Sequence, residues 1–128
     1  MRSCNIKIRT ETDGNVSVFE TEGEASFEGE TATVRYADRD GRVRVEISDR
    51  VRICREGDYR LALELSQGKG NALIGFGAES GEIPVSVNAC DIKISHSAIR
   101  FRAKYSLDFK EKQNMRLYFV ALIKQETV

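Results

Sequence analysis

His96 is the only histidine of this 128-residue chain, and Ser95 and Ser97 flank it. Serine–histidine or cysteine–histidine catalysis needs a histidine that a third group orients. A lone histidine between two extended segments reads instead as a turn residue. Cys4, Cys54 and Cys90 lie too far apart in sequence to form a zinc set with it. Glu20, Glu22 and Glu24 share one parity of an extended segment. Paired carboxylates do acid–base work when their environments split their pKa values. Three in a row on one face read more simply as a solvated surface, paired across strands with arginines such as Arg42 and Arg44 or Arg100 and Arg102. Gln67-Gly68-Lys69-Gly70-Asn71 and Gly75-Phe76-Gly77 are rich in glycine, but a phosphate loop must open a helix and none follows either. They read as turns. No catalytic residue, metal or cofactor is predicted, and the chain is not expected to be an enzyme.

The richest polar set is Arg35, Arg42, Arg44, Arg50, Arg52, Arg55 and Arg60. Small β-barrels bind single strands of nucleic acid through basic grooves studded with exposed aromatic rings. Here Phe76, Phe101, Phe109 and Phe119 take the apolar parity and net charge is zero, so nucleic acid is not expected as a partner. The charge is nonetheless uneven. Residues 11–30 hold seven acids and no base, whereas residues 91–124 hold eight bases against three acids. Acidic and basic strands lying side by side account for this, and a basic patch for an anionic partner is the sharper reading.

The elements that must position these groups are strands. Ile99, Phe101, Ala103, Tyr105, Leu107 and Phe109 alternate with Arg100, Arg102, Lys104, Ser106 and Asp108, the pattern of a strand with one face in a core and one in water. The same period predicts strands at Asn5–Thr12, Val16–Phe27, Thr31–Ala37, Arg42–Ser48, Val51–Arg55, Tyr59–Ser66, Asn71–Phe76, Glu82–Val87, Asp91–Ser95, Ala98–Lys110 and Met115–Lys124. Asp13-Gly14-Asn15 is a hairpin turn, and Gly23 marks a bulge or bend. No window shows helical spacing. Connections of two to five residues make sequential strands antiparallel neighbours, and so many in a meander curl into a barrel of about 8–10 strands or split into a β-sandwich. Residues 1–128 read as one domain, at 41% hydrophobic and 31% charged residues. No apolar run is long enough for a membrane span or a signal peptide. Three reduced thiols place the chain in the cytoplasm, with a Cys4–Cys90 bridge left open. Met115–Lys124 is apolar on both faces. Cover by another segment of the chain explains this, and a homodimer contact is the alternative.

Between Thr21 and Lys124 the chain runs through Thr21-Glu22-Gly23, Val34-Arg35-Tyr36, Val51-Arg52-Ile53-Cys54-Arg55-Glu56-Gly57, Leu63-Glu64-Leu65 with Gln67-Gly68, Ser80-Gly81-Glu82-Ile83-Pro84-Val85, Lys104-Tyr105-Ser106-Leu107 and the apolar final strand. The order and spacing of these elements resemble a bacterial family, the YwiB-like proteins or domain of unknown function 1934. The resemblance implies a lipocalin-like (calycin) antiparallel barrel. The chain departs from the family pattern at Ala78-Glu79-Ser80-Gly81 and lacks the tryptophan of true lipocalins.

A barrel of this size holds one small ligand or is filled by its own side chains. Tyr36, Leu63, Phe76, Phe101, Tyr105 and Phe119 are expected to point inward, the two tyrosines bringing hydroxyls to an apolar wall. The leading expectation is a non-enzymatic protein that takes a small apolar or amphipathic ligand in the lumen. The alternative is a structural or protein-interaction module using the arginine-rich face or the two-faced last strand.

Overall fold

Ten antiparallel strands form the molecule, described here from a computed structural model over residues 1–108 and 111–125. They are β1 (Arg2–Thr12), β2 (Asn15–Glu28), β3 (Thr31–Asp38), β4 (Gly41–Ile47), β5 (Val51–Gly57), β6 (Arg60–Ser66), β7 (Lys69–Phe76), β8 (Glu79–Ile94), β9 (Ala98–Asp108) and β10 (Lys112–Ile123). Each pairs with its sequence neighbours, and β1 pairs with β10 to close the barrel. The expected meander is therefore a barrel and not a sandwich. Phe109 and Lys110 lie outside the described residues.

Two strands make closure work. β2 pairs with β1 from Asn15 to Ala25 and with β3 only from Glu24 to Glu28. β8 pairs with β7 up to Val85 and with β9 from Val85 onward. Each long strand thus belongs to two parts of the wall. The sequence reading split β8 into Glu82–Val87 and Asp91–Ser95; the structure joins them through an irregularity between Val87 and Ala89. The polar Asn88 that looked like a break is the extra residue of a bulge, which bends the strand without ending it.

Turn chemistry agrees with the backbone. Asp13 and Gly14 both take positive φ, at 49° and 89°, the two-residue hairpin geometry that matches strand twist. Gly68 and Gly77 also take positive φ, so the glycine-rich segments are turns. Gly23 is not a bulge: it stays in register opposite Cys4. A Cβ there would collide with the backbone carbonyl of Arg35 and come within 2.6 Å of the Ile6 side chain, so glycine is what lets β3 approach where the β2–β3 pairing begins.

The core is made by one parity of every strand. Cys4, Ile6, Ala25, Val34, Val45, Ile47, Val51, Leu65, Ile99, Phe101, Phe119 and Ala121 are buried almost completely. Phe101 and Phe119 are cross-strand partners whose rings stack at 5.0 Å. All three cysteines are free thiols. Burial in the wall pushes the Cys4 and Cys90 thiols up from their ordinary pKa.

Candidate functional site

Burial along the inward parity is unequal from one end of the barrel to the other. On β1, Cys4 and Ile6 are buried while Ile8, Thr10 and Thr12 are half-buried. On β3 and β5 the sequence runs from buried Ala32, Val34 and Val51 to half-buried Tyr36 and Arg55. On β7 it runs from buried Ala72 through Ile74 to Phe76, which is 60% exposed. The less buried end is the one that carries the β1–β2, β3–β4, β5–β6 and β7–β8 turns. That end is the mouth; toward the other end the inward rows are covered apart from Phe27 and Ile94 at its rim, which are 39% and 38% exposed.

Charged and aromatic groups line that mouth. Arg55 continues the inward row Val51, Ile53, and Asp38 continues the inward row Val34, Tyr36. Their side chains meet in a two-pronged ion pair, with Nη1 and Nη2 donating to Oδ1 and Oδ2 at 2.7 and 2.5 Å, each side chain only 15% exposed. Asp38 Oδ1 also accepts from the backbone N–H groups of Asp40 and Gly41. The Arg55 guanidinium and these amides hold the Asp38 carboxyl below its ordinary pKa. Arg55 sits 5.6 Å from the centre of the Tyr59 ring, a cation–π contact. Tyr59 packs on Phe76 at 5.9 Å, and Phe19 on Tyr36 at 6.1 Å. Beneath them the two turns approach closely: Gly41 and Gly57 face each other where a Cβ on either would strike the opposite backbone.

The six lumen residues expected from sequence divide accordingly. Leu63, Phe101, Phe119 and Tyr105 are buried in the packed core. Tyr36 is half-buried at the mouth. Phe76 corrects the expectation: it keeps the inward parity, but its pairing with Glu79 is the last of the β7–β8 hairpin, beyond the other walls, so the ring stands in the entrance. Sequence reasoning missed Asp38, Tyr59 and Phe19 and counted Arg55 with the wet-face arginines. The available signal was a charged residue on the apolar parity near the end of each of two strands.

Other candidates fall elsewhere. His96 is exposed in the β8–β9 turn, where its carbonyl accepts a long bond from Arg2. Glu20 and Glu22 pair with Lys7 and Lys124 at 3.7 and 2.9 Å, not with the arginines expected, because β2 lies beside β1 and the end of the chain. Only Glu24 faces an arginine, Arg35. The outer side of β10 is uncovered among the described residues, contrary to the favoured reading, with Tyr118 and Leu122 at 36% and 47% exposure.

A family model described as a domain of unknown function, DUF1934, matches residues 2–120. The chain belongs to this family. The crystal structure of the ywiB protein from Bacillus subtilis is similar to this DUF1934 barrel, with a TM-score of 0.75 over 97% of this chain and 93% of that one. The two sequences are 17% identical, so the likeness speaks for the fold alone. No curated protein matches the sequence. Among the described residues, no helix is long and apolar enough to cross a membrane.

Burial has a titratable consequence in this DUF1934 barrel. It pushes the phenols of Tyr36 and Tyr105 up to about 12, against 10.0 ordinarily. The fold favours their neutral forms. The stability this brings is complete below pH 10 and lost as pH rises through 12. An ultraviolet titration is expected to show two of the four tyrosines ionising late and together with loss of near-ultraviolet dichroism. Complete ionisation of all phenols near pH 10 with the fold intact would contradict this burial.

Proposed function

We propose that the protein is a cytosolic, non-catalytic binding protein that takes one small, uncharged amphipathic ligand at the open mouth of its barrel. The observation that supports this reading is the unequal burial of the inward rows. A barrel filled only for stability has no reason to leave Ile8, Thr10, Tyr36, Ile74 and Phe76 incompletely covered together at one end, where the opposite end leaves only Phe27 and Ile94 at its rim. Phe19, Tyr59 and Phe76 offer apolar ring faces for the ligand's body, and Tyr36 offers a hydroxyl. Arg55 and Asp38 neutralise each other, so the entrance presents dipoles and guanidinium N–H donors without net charge. That favours hydroxyl, amide or carbonyl groups over full ions. The packed lower half limits how deep the ligand reaches.

The test is titration with 1-aminoanthracene, a neutral fluorophore, followed by native mass spectrometry of protein purified gently from its own host. The expected result is saturable binding that Phe76→Glu weakens about ten-fold or more, since an exposed ring is exchanged for a hydrated charge at the entrance. The thermal midpoint should stay put, because Phe76 is already 60% exposed. Binding that is indifferent to Phe76→Glu and to Tyr59→Ala, together with a bare chain mass, would overturn the proposal.

A further inference from the structure

The outer face of β8, β9, β10 and β1 carries a charge arrangement that the mouth does not explain. Lys93 lies directly opposite Arg100, and Lys104 directly opposite Arg116. Like charges facing each other across strands oppose folding. Elsewhere the barrel offsets such a pair: Arg35 opposes Arg44, but Glu24 faces Arg35 and Glu46 lies 3.1 Å from Arg44. Around the β9 pairs such acids are outnumbered. Asp91 reaches only Arg102, at 4.0 Å, and Glu11, which faces Arg116 from β1, makes its ion pair with Arg9 at 3.8 Å. Between the two cation pairs stands Tyr118, on the outward parity and 36% exposed, with Arg102 opposite it on one side and Arg9 on the other.

The surface is also hollowed beside each pair. A recess of about 550 Å³ is lined by Lys93, Arg100, Arg102 and Tyr118, with Asp91, Ser95 and Ser97 also on its wall. A second, of about 310 Å³, is lined by Lys104 and Arg116 together with Glu11 and Asp13. Successive outward residues along a strand are roughly 7 Å apart, so the cation rows repeat at intervals suited to successive phosphates of an extended chain. An aromatic ring between arginines supplies what phosphates alone do not need: a stacking surface for a base.

We propose that this face binds single-stranded nucleic acid, with a base stacked on Tyr118 and the flanking phosphates on Lys93–Arg100 and Lys104–Arg116. The sequence argued against nucleic acid because its phenylalanines take the inward parity. Tyr118 is the aromatic that takes the other one. Around Tyr118 and the two recesses, Arg9, Lys93, Arg100, Arg102, Lys104 and Arg116 outnumber Glu11, Asp13 and Asp91, even though the chain as a whole is neutral. The proposal is independent of the ligand at the mouth.

The test is fluorescence anisotropy of a short labelled oligouridylate across a series of salt concentrations. The expected result is binding that weakens with salt at a log–log slope of roughly −0.7 for each phosphate neutralised. The double variant Lys93→Gln with Arg100→Gln should flatten that slope by about 1.4 units. Its thermal midpoint should be unchanged or higher, since a repulsion is relieved. Tyr118→Ala should weaken binding roughly five- to a hundred-fold with little change of slope, and Tyr118→Phe should restore it. Phe76→Glu at the mouth and Arg35→Gln on the opposite wall should leave binding as it is. Four results would overturn the proposal: no binding at low salt; equal binding of polyglutamate with no effect of Tyr118→Ala; binding of anionic vesicles but not of oligouridylate; or a stable dimer that hides Tyr118.

Discussion

Phe101→Ala is expected to destabilise the barrel by about 3–5 kcal/mol, measured as a fall in the denaturant midpoint at unchanged m-value. Both rings of the Phe101–Phe119 stack are 1% exposed, and they face each other across β9 and β10 at the packed end. Phe119 in turn faces Ile8 on β1, and Phe101 faces Ile92 on β8. Truncation therefore opens a hole that four strands must close at once, and a closed sheet cannot move one strand inward without dragging its neighbours. Part of the loss is the ring-on-ring interaction, about 0.5–1.5 kcal/mol beyond the area buried. Phe101→Leu keeps most of the volume and should cost well under half as much. A loss below 1 kcal/mol for alanine would show that this end of the lumen is not packed solid, and the contrast between the two ends would go with it.

The second large effect is expected from Asp38→Ala, about 2 kcal/mol of destabilisation. This lies below the 3–5 kcal/mol of a fully buried pair, because both partners keep some contact with water. The substitution strands the Arg55 guanidinium in a half-buried position and removes the acceptor that holds the Asp40 and Gly41 amides. Those amides shape the β3–β4 turn, whose Asp40 carbonyl accepts the Asp58 N–H, so the β5–β6 turn loosens as well. The pH dependence has a fixed sign. The Asp38 pKa is lower in the fold than in the open chain, so its contribution is complete above the ordinary carboxylate range, near 3.9, and disappears as pH falls through the folded value. Wild type should lose stability on acidification faster than Asp38→Asn. If the two acid-unfolding curves are parallel, the pair does not act as the clasp of the rim.

The fold was legible because alternation is a local signal and the turns were marked by glycine, aspartate and asparagine. Every strand of the barrel corresponds to an apolar–polar run, and Asp13-Gly14 has the dihedral angles its composition demands. Closure was readable only through the number of strands and the resemblance. The candidate site was less legible, for a physical reason. Parity tells which face of the sheet a residue takes, not how far along the barrel axis it sits. Phe76 and Phe101 are alike in period, yet one stands in water at the entrance and the other lies in the packed end. The difference is set by the stagger between strands of unequal length. Arg55 shows the converse: its type suggested the wet face, and its place in the row Val51, Ile53, Arg55 was the better guide. On β10 the outward Tyr118 and Leu122 suggested a cover, but the long side chains of Arg9, Arg100 and Arg102 border that stripe instead.

Register also has a temporal meaning. Cys4 pairs with Ile123, and Lys124 N–H donates to the Ser3 carbonyl at 2.9 Å, so strands at opposite ends of the fold share one ladder. During synthesis β1 can find β2 within moments, but its other edge waits for a partner made only after the eight strands between them. Until then both outer strands of the growing sheet show unpaired backbone groups, the template for joining other chains. The wait is lengthened by the entropy of bringing such distant segments together, which makes barrels of this connectivity slow to mature. The charged outward residues of β1, Lys7 and Arg9, and the glutamates along β2 then serve a purpose before any folded state exists: they keep the nascent edge in solution until the last strand arrives.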